Sequence, residues 1–189
     1  AKRDQAKNLF GLQTKHKTVL VLGGSLGAHR INKLIEEKLN YFRANQLQVI
    51  WQCGSLYYDE YKRYENLPEV CVRPFINRMD YAYAAADFMI SRAGASSVSE
   101  LCVVGKPVVF IPSPNVAEDH QTKNAESISK KEAAILIKEA ALELEFEHEF
   151  SKLLDSESLR KKLKHNIKKL AKINATEAIV AEIETLLST

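Results

Sequence analysis

Ser91 to Glu100, reading SRAGASSVSE, is the stretch whose residue types and spacing best suit chemistry on an anion. Gly94 lets the backbone bend there, and Ala95, Ser96 and Ser97 leave room above a helix start, where unpaired N–H groups attract a group such as a diphosphate. Val98 opens an apolar helical pattern with Leu101 and Val104, Ser99 follows it, and Glu100 is expected in the first helical turn, its carboxylate able to accept hydrogen bonds from a ribose diol. The same letters spell a capping box, Ser97-Val-Ser-Glu100, which needs no ligand and, taken alone, is the commoner reading.

A second small-residue turn, Gly23-Gly-Ser-Leu-Gly-Ala28, follows the apolar run Thr18 to Leu22. After it, Ile31, Leu34, Ile35 and Leu39 fall on one helical face, completing a strand, glycine-rich loop and helix. This is a phosphate-loop arrangement that carries Gly24 and Ser25 at its tip. It lacks the Gly-Lys-Ser/Thr of a Walker A loop and the glycine spacing of a dinucleotide fingerprint, and a plain packing turn would also use its glycines.

The elements that must position these turns alternate along the chain. Strand-like runs at Gln48–Gln52, Val70–Arg73, Asp87–Ile90, Pro107–Ile111 and Ala134–Ile137 are separated by helical patterns at Tyr57–Tyr64, Asp80–Ala86, after Gly94, and Thr122–Lys130. That rhythm predicts an α/β, Rossmann-like doubly wound, mainly parallel sheet with helices on both faces, whose ligands sit at the carboxyl ends of the strands. From about residue 145 the chain reads as a helical tail. The stripe Leu159, Leu163, Ile167 and Leu170 within it is surrounded by Arg160, Lys161, Lys162, Lys164, Lys168 and Lys169, a face that could touch anionic lipid but is more commonly just solvated. Residues 1–17 show no clear periodicity and read as a linker ahead of a domain spanning 18–189.

Composition narrows the function classes. With 189 residues, 46% of them hydrophobic, the chain can bury one good-sized core. A balance of 27 basic against 24 acidic residues does not argue for nucleic acid. No apolar run reaches membrane-spanning length and the start has no signal-peptide core, so a soluble cytoplasmic protein is expected. Cys53, Cys71 and Cys102 are widely spaced and read as free, buried thiols. The chain has no Asp-x-Asp and no His/Asp cluster at ligand spacing, so neither a metal nor a cofactor is expected.

Four segments together, Gly23 to Ala28, Phe75-Ile-x-x-Met79, Ser91 to Glu100 and Asp119-His-Gln-x-x-Asn-Ala125, make the chain resemble the carboxyl-terminal half of the MurG family, peptidoglycan glycosyltransferases of GT-B fold. The match covers Thr18 to about Ile137. The resemblance implies transfer of N-acetylglucosamine from UDP-GlcNAc to lipid I, giving lipid II with inversion, by an enzyme peripheral on the inner face of the bacterial cell membrane. It implies that 1–17 joins this domain to an amino-terminal acceptor domain that the chain lacks and that supplies the general base. Carried over by position, Ile76 would meet the uracil edge, with Phe75 and Met79 shaping its pocket. Ala95, Ser96 and Ser97, with Gly94, Val98 and Ser99 around them, would meet the diphosphate, Glu100 the ribose, and Ser25 the phosphate from the other side. Gln121, with His120 and Asn124, would hold the sugar. Where the family often has Gln this chain has Leu26, so no side-chain contact is assigned there.

Two further readings stay open on the same residues: another GT-B-like UDP-sugar enzyme such as a UDP-GlcNAc 2-epimerase, and a nucleotide-sugar-binding module without chemistry. A dinucleotide dehydrogenase fits worst, because Gln52-Cys-Gly54 stands where that fold needs an acidic residue.

Overall fold

A computed structural model describes residues 2–24 and 27–187. The chain begins with α1 (Lys2–Leu9) and proceeds through β1 (Lys17–Leu22), α2 (His29–Ala44), β2 (Leu47–Gln52), the short α3 (Tyr58–Tyr61), β3 (Val70–Arg73), α4 (Met79–Ala85) and β4 (Phe88–Ser91). It continues with α5 (Ala95–Val104), β5 (Val108–Phe110), α6 (His120–Ser129), β6 (Ile135–Leu136), α7 (Leu142–Asp155), α8 (Glu157–Lys169) and α9 (Ala175–Leu187). Among the described residues the strands form one six-stranded sheet, ordered β3-β2-β1-β4-β5-β6, with every pairing parallel.

The order follows from the sequence physics. β1 is buried through Thr18 to Val21 because its alternate side chains enter two different cores. Val19 and Val21 join Ile31, Leu34, Ile35 and Trp51 on one face, and Leu20 joins Met89, Leu101 and Phe110 on the other. The connections on the two sides of β1 therefore run over opposite faces, and a crevice opens at the carboxyl ends of β1 and β4, where the winding direction changes.

Three sequence expectations need correction. Where no clear periodicity was expected, residues 2–17 include a helix: α1 packs on α4, with Ala6 and Leu12 inside the second core. Arg3 makes two bonds of 3.0 and 2.9 Å to the Asp87 carboxylate, and that carboxylate also accepts from the Thr18 N–H at 2.9 Å. The helical tail begins at Leu142, and its first two helices belong to the domain itself. Phe146 and Phe150 stack at 5.4 Å and pack with Phe42 and Phe88; each such burial stabilises the fold by roughly 2–3 kcal/mol. The acidic alternation after Leu142 is a helical face, with Leu142, Phe146, Phe150 and Leu153 inward at spacings of four, four and three. Lastly, the short helix expected at Tyr57–Tyr64 is α3 followed by a 3-10 turn, Lys62–Asn66.

The three thiols are buried, as their sequence context implies. Burial pushes Cys53 up to about 11, which keeps it a neutral packing group.

Candidate functional site

α5 starts at Ala95, three residues earlier than a capping box would place it. Its cap is Gly94, in extended geometry (φ −62°, ψ 148°), and the first intrahelical bond is Val98 N–H to Gly94 C=O at 2.9 Å. The N–H groups of Ala95, Ser96 and Ser97 therefore have no acceptor within the helix. Ser97 is a helical residue rather than a cap, and Glu100 stands in the second turn, not the first. The capping explanation for SRAGASSVSE fails on this geometry, and the acidic residue is left without a cap to make.

α2 is built the same way. Its cap, Ala28, carries no polar side chain, and its first intrahelical bond is Asn32 N–H to Ala28 C=O at 2.9 Å. The glycines on either side of residues 25 and 26 are held tightly: Gly23 N–H donates to Gln52 C=O at 3.2 Å, and Gly27 has φ +92°. A Cβ on Gly27 would lie 2.2 Å from the Cys53 carbonyl oxygen and 2.7 Å from the Tyr57 ring, so only glycine fits. Asn32 then anchors the helix, donating to Cys53 C=O at 2.8 Å while accepting from Trp51 Nε1 at 2.9 Å. Two helix amino termini thus converge from opposite faces on the crevice between β1 and β4, each carrying about half a positive charge.

The crevice opens into a cleft of about 620 Å³. Of the residues singled out in the sequence, Gly24, Phe75, Ile76, Met79, Gly94, Ser97, Glu100 and Gln121 line it. Ala95 and Ser96 lie exposed in the first turn of α5 beside it. Val98 and Ser99 line a separate hollow against α6 and the end of α8, with Glu100 between the two. His120 is exposed and its Nδ1 pairs with Ala117 C=O at 2.8 Å, outside the cleft lining. Asn124 serves as a strut, donating to Ala93 C=O at 3.0 Å and so holding the turn before α5. Ser25 and Leu26 lie outside the described residues.

Gln52 and Tyr83, which sequence reasoning gave no role in the site, complete it together with Gln121 and Arg92. Gln52 Oε1 accepts from the Ile76 N–H at 3.1 Å, which ties the Phe75–Arg78 loop to the end of β2. Gln121 Oε1 accepts from the Ser113 N–H at 3.0 Å, so its amide NH₂ is the group left to face the cleft. The chain reaches Gln121 through Glu118 and Asp119, both in the left-handed region at φ +53° and +51°, a bend that aims the start of α6 inward. Tyr83 lies one turn beyond Met79 on α4 and lines the cleft with it, a spacing of four that marks it in retrospect. Burial, then the negative charge of nearby Glu100, holds the Tyr83 phenol far above its ordinary value, so it stays protonated beside that carboxylate. Arg92 reaches across the cleft floor to Ile111 C=O at 3.0 Å and pairs with Glu139, which offsets its charge.

The arrangement can hold an anionic, ribose-bearing ligand: backbone donors at two helix starts, a carboxylate 5 residues along α5 from the first donor, and apolar walls at Phe75, Ile76 and Met79. Among the described residues, no group of three His, Cys, Asp or Glu side chains could hold a metal ion.

The comparisons with known proteins agree with this geometry. Residues 18–182 match the model described as the glycosyltransferase family 28 C-terminal domain. Two curated relatives share the name UDP-N-acetylglucosamine--N-acetylmuramyl-(pentapeptide) pyrophosphoryl-undecaprenol N-acetylglucosamine transferase. The protein from Flavobacterium psychrophilum is 54% identical over 182 residues, covering 96% of this chain and 50% of its own length. That from Christiangramia forsetii is 56% identical over 186 residues, covering 98% and 50%. The chain thus spans about half the length of the curated relatives it matches. Among solved structures, that of Acinetobacter baumannii MurG superposes with a TM-score of 0.74 at 29% identity, over 95% of this chain and 53% of the other. With the family model matched across both turns, the sheet and the first tail helices, the chain belongs to the glycosyltransferase family 28 C-terminal domain family.

Proposed function

We propose that this chain is the donor-binding half of an inverting glycosyltransferase that moves N-acetylglucosamine from UDP-GlcNAc to lipid I, forming lipid II for peptidoglycan. The observation that carries the reading is the pair of helix starts without side-chain caps, α2 and α5, meeting at one crevice beside Glu100. The curated relatives bear the name of that transferase, over the half that this chain represents.

In this reading the amides of Ala95, Ser96 and Ser97 meet the diphosphate, with the loop from Gly23 to Ala28, Ser25 included, on its other side. As the bond from the anomeric carbon to the β-phosphate oxygen breaks, negative charge grows on the departing UDP. Donors already fixed in direction stabilise it at that moment without reorganising. Glu100, beside the protonated Tyr83, accepts from the ribose hydroxyls. Uracil lies between Phe75 and Met79 and takes the Ile76 N–H in place of Gln52 Oε1, one amide acceptor replacing another. The free NH₂ of Gln121 donates to a sugar hydroxyl, while Asn124 keeps the turn before α5 in position. The acceptor hydroxyl attacks from the opposite face of the sugar and loses its proton to a base outside these 189 residues, in the half of the enzyme that binds lipid I. Residues 1–17 lead into that half, and the whole enzyme works at the inner face of the cytoplasmic membrane. Among the described residues no helix is long and apolar enough to cross a membrane.

Calorimetry on this chain tests the reading. UDP and UDP-GlcNAc should bind at least about tenfold more tightly than ADP or CDP, a difference of 1.4 kcal/mol. Equal affinity for all three nucleotides removes the uracil assignment, and no binding of any removes the donor site. Binding without transfer by the full-length enzyme given lipid I would instead favour a module without chemistry.

A further inference from the structure

The amino ends of the strands, on the far side of the sheet from the cleft, enclose a second hollow of about 350 Å³. Arg3, Lys17, Lys106, Arg160, Lys161 and Lys164 border it, against only Asp87 and Glu157. The local excess of positive charge exceeds the formal +3 of the whole chain.

The partners of these groups show which charge is spent. Asp87 is taken by Arg3, by the Thr18 N–H and by Lys7 at 3.6 Å. Glu157 pairs with Lys161 at 2.7 Å. Lys106 donates to the carbonyls of Tyr83, Ala84 and Ala86 at the end of α4, and Arg160 to those of Leu153 and Leu154 at the end of α7, so both face helix carboxyl ends. Lys17 and Lys164 have no carboxylate within salt-bridge reach among the described residues, and both are exposed. Burial above all weakens the hold of Lys106 on its proton; Asp87 strengthens that hold, while Arg3, Lys164 and Lys7 weaken it further, as expected where several cations share one carboxylate. The walls are firm: Ala86, Phe88 and Pro107 lie in or beside buried strands, and the Lys17 ammonium is 6.0 Å from the Phe88 ring centre.

We infer that this hollow is a second anion site, shaped for a phosphate-bearing group held by Lys17 and Lys164 and framed by Lys106 and Arg160. It is separate from the cleft, because Lys17 opens β1 while Leu22, which lines the cleft, closes it; five steps along the strand put roughly 17 Å between them. The inference does not depend on the proposed transferase activity.

The phosphate can come from solution or from a lipid headgroup, and two arms separate these. In the first, amide shifts of the isotope-labelled chain are followed while inorganic pyrophosphate is added at low salt. In the second, the chain is sedimented with phosphatidylcholine vesicles with and without phosphatidylglycerol. Each arm uses wild type, Lys17→Glu/Lys164→Glu, and a control of equal charge change, Lys33→Glu/Lys130→Glu, on α2 and just after α6. Saturable shifts at Phe88, Lys106 and Lys164, weakened about tenfold or more only in the first variant, establish a site for soluble phosphate. Retention by phosphatidylglycerol vesicles alone, lost in that variant and kept in the control, establishes a headgroup site. No saturable response in either arm, or equal weakening by both variants, overturns the inference.

Discussion

The two edges of the sheet both present positive potential, but they draw it from different parts of the chain. At the carboxyl edge it comes from peptide units: the first N–H groups of α2 and α5, reached through glycine turns and left without side-chain caps. At the amino edge it comes from side chains. A βα unit dictates this division, because helices that begin at one edge must end at the other and there present carbonyl groups. Lys106 and Arg160 meet those carbonyls for α4 and α7. Backbone donors are fixed in direction and suit a transition state, whereas ammonium groups on flexible stems suit less directional, salt-sensitive attraction.

The sharpest break of this comparison is steric, at the carboxyl edge. Gly27→Val should destabilise the fold by about 3 kcal/mol or more and abolish nucleotide binding, since the new side chain meets Cys53 and Tyr57 at a left-handed φ. Gly24→Ala should cost only about 1–2 kcal/mol: its φ is +81°, but a Cβ there meets nothing within 4 Å. Denaturant unfolding of the pair separates conformational strain from collision, and equal losses would refute the distinction.

At the amino edge the test is pH. Burial holds Lys106 down to about 8 against an ordinary 10.5. Between those values the unfolded chain keeps a proton that the fold has released, so the stability from this residue rises with pH. Relative to Lys106→Met, wild type should therefore gain up to about 3 kcal/mol from pH 8 to 10.5. An unchanging difference in urea unfolding across that range would show an ammonium free of the desolvation described.

Glu100→Ala should weaken UDP affinity by about 1–3 kcal/mol while shifting stability by less than about 0.5 kcal/mol, because the residue is not a cap. A fallen melting temperature with unchanged affinity would restore the capping role. Tyr83→Phe should cost about 1 kcal/mol of the same affinity, by taking away the protonated phenol beside Glu100 rather than Glu100 itself. Calorimetry on the two single variants and the double variant checks this: Tyr83→Phe should add almost nothing once Glu100 is gone.

Legibility varied with how local the cause was. The strands were readable because runs such as Thr18 to Leu22 are buried on both faces, and the cleft loops because glycine and small residues there serve one purpose. α1 was not readable: its inward side holds Ala6 and Lys7, and nothing in the letters says that a lysine is fully buried among carbonyls of Thr14 and His16. Nor were the struts. Gln52 fastens Ile76 from 24 residues away, and Asn124 fastens Ala93 from 31. In the alternation after Leu142, period two and period four coincide over nine residues, and packing of Phe146 and Phe150 on Phe42 settled the matter.

By itself the sequence determined the parallel α/β architecture, the two turns and the family resemblance, since apolar period, glycine placement and motif order are properties of neighbouring residues. Only the tertiary structure decided where α5 begins, which amides have no acceptor within their helices, that Tyr83 and Glu100 line one cleft, and that cations from four separate segments gather at the far edge. Those outcomes depend on which distant groups claim each donor and charge, and that competition is resolved only once the sheet has assembled.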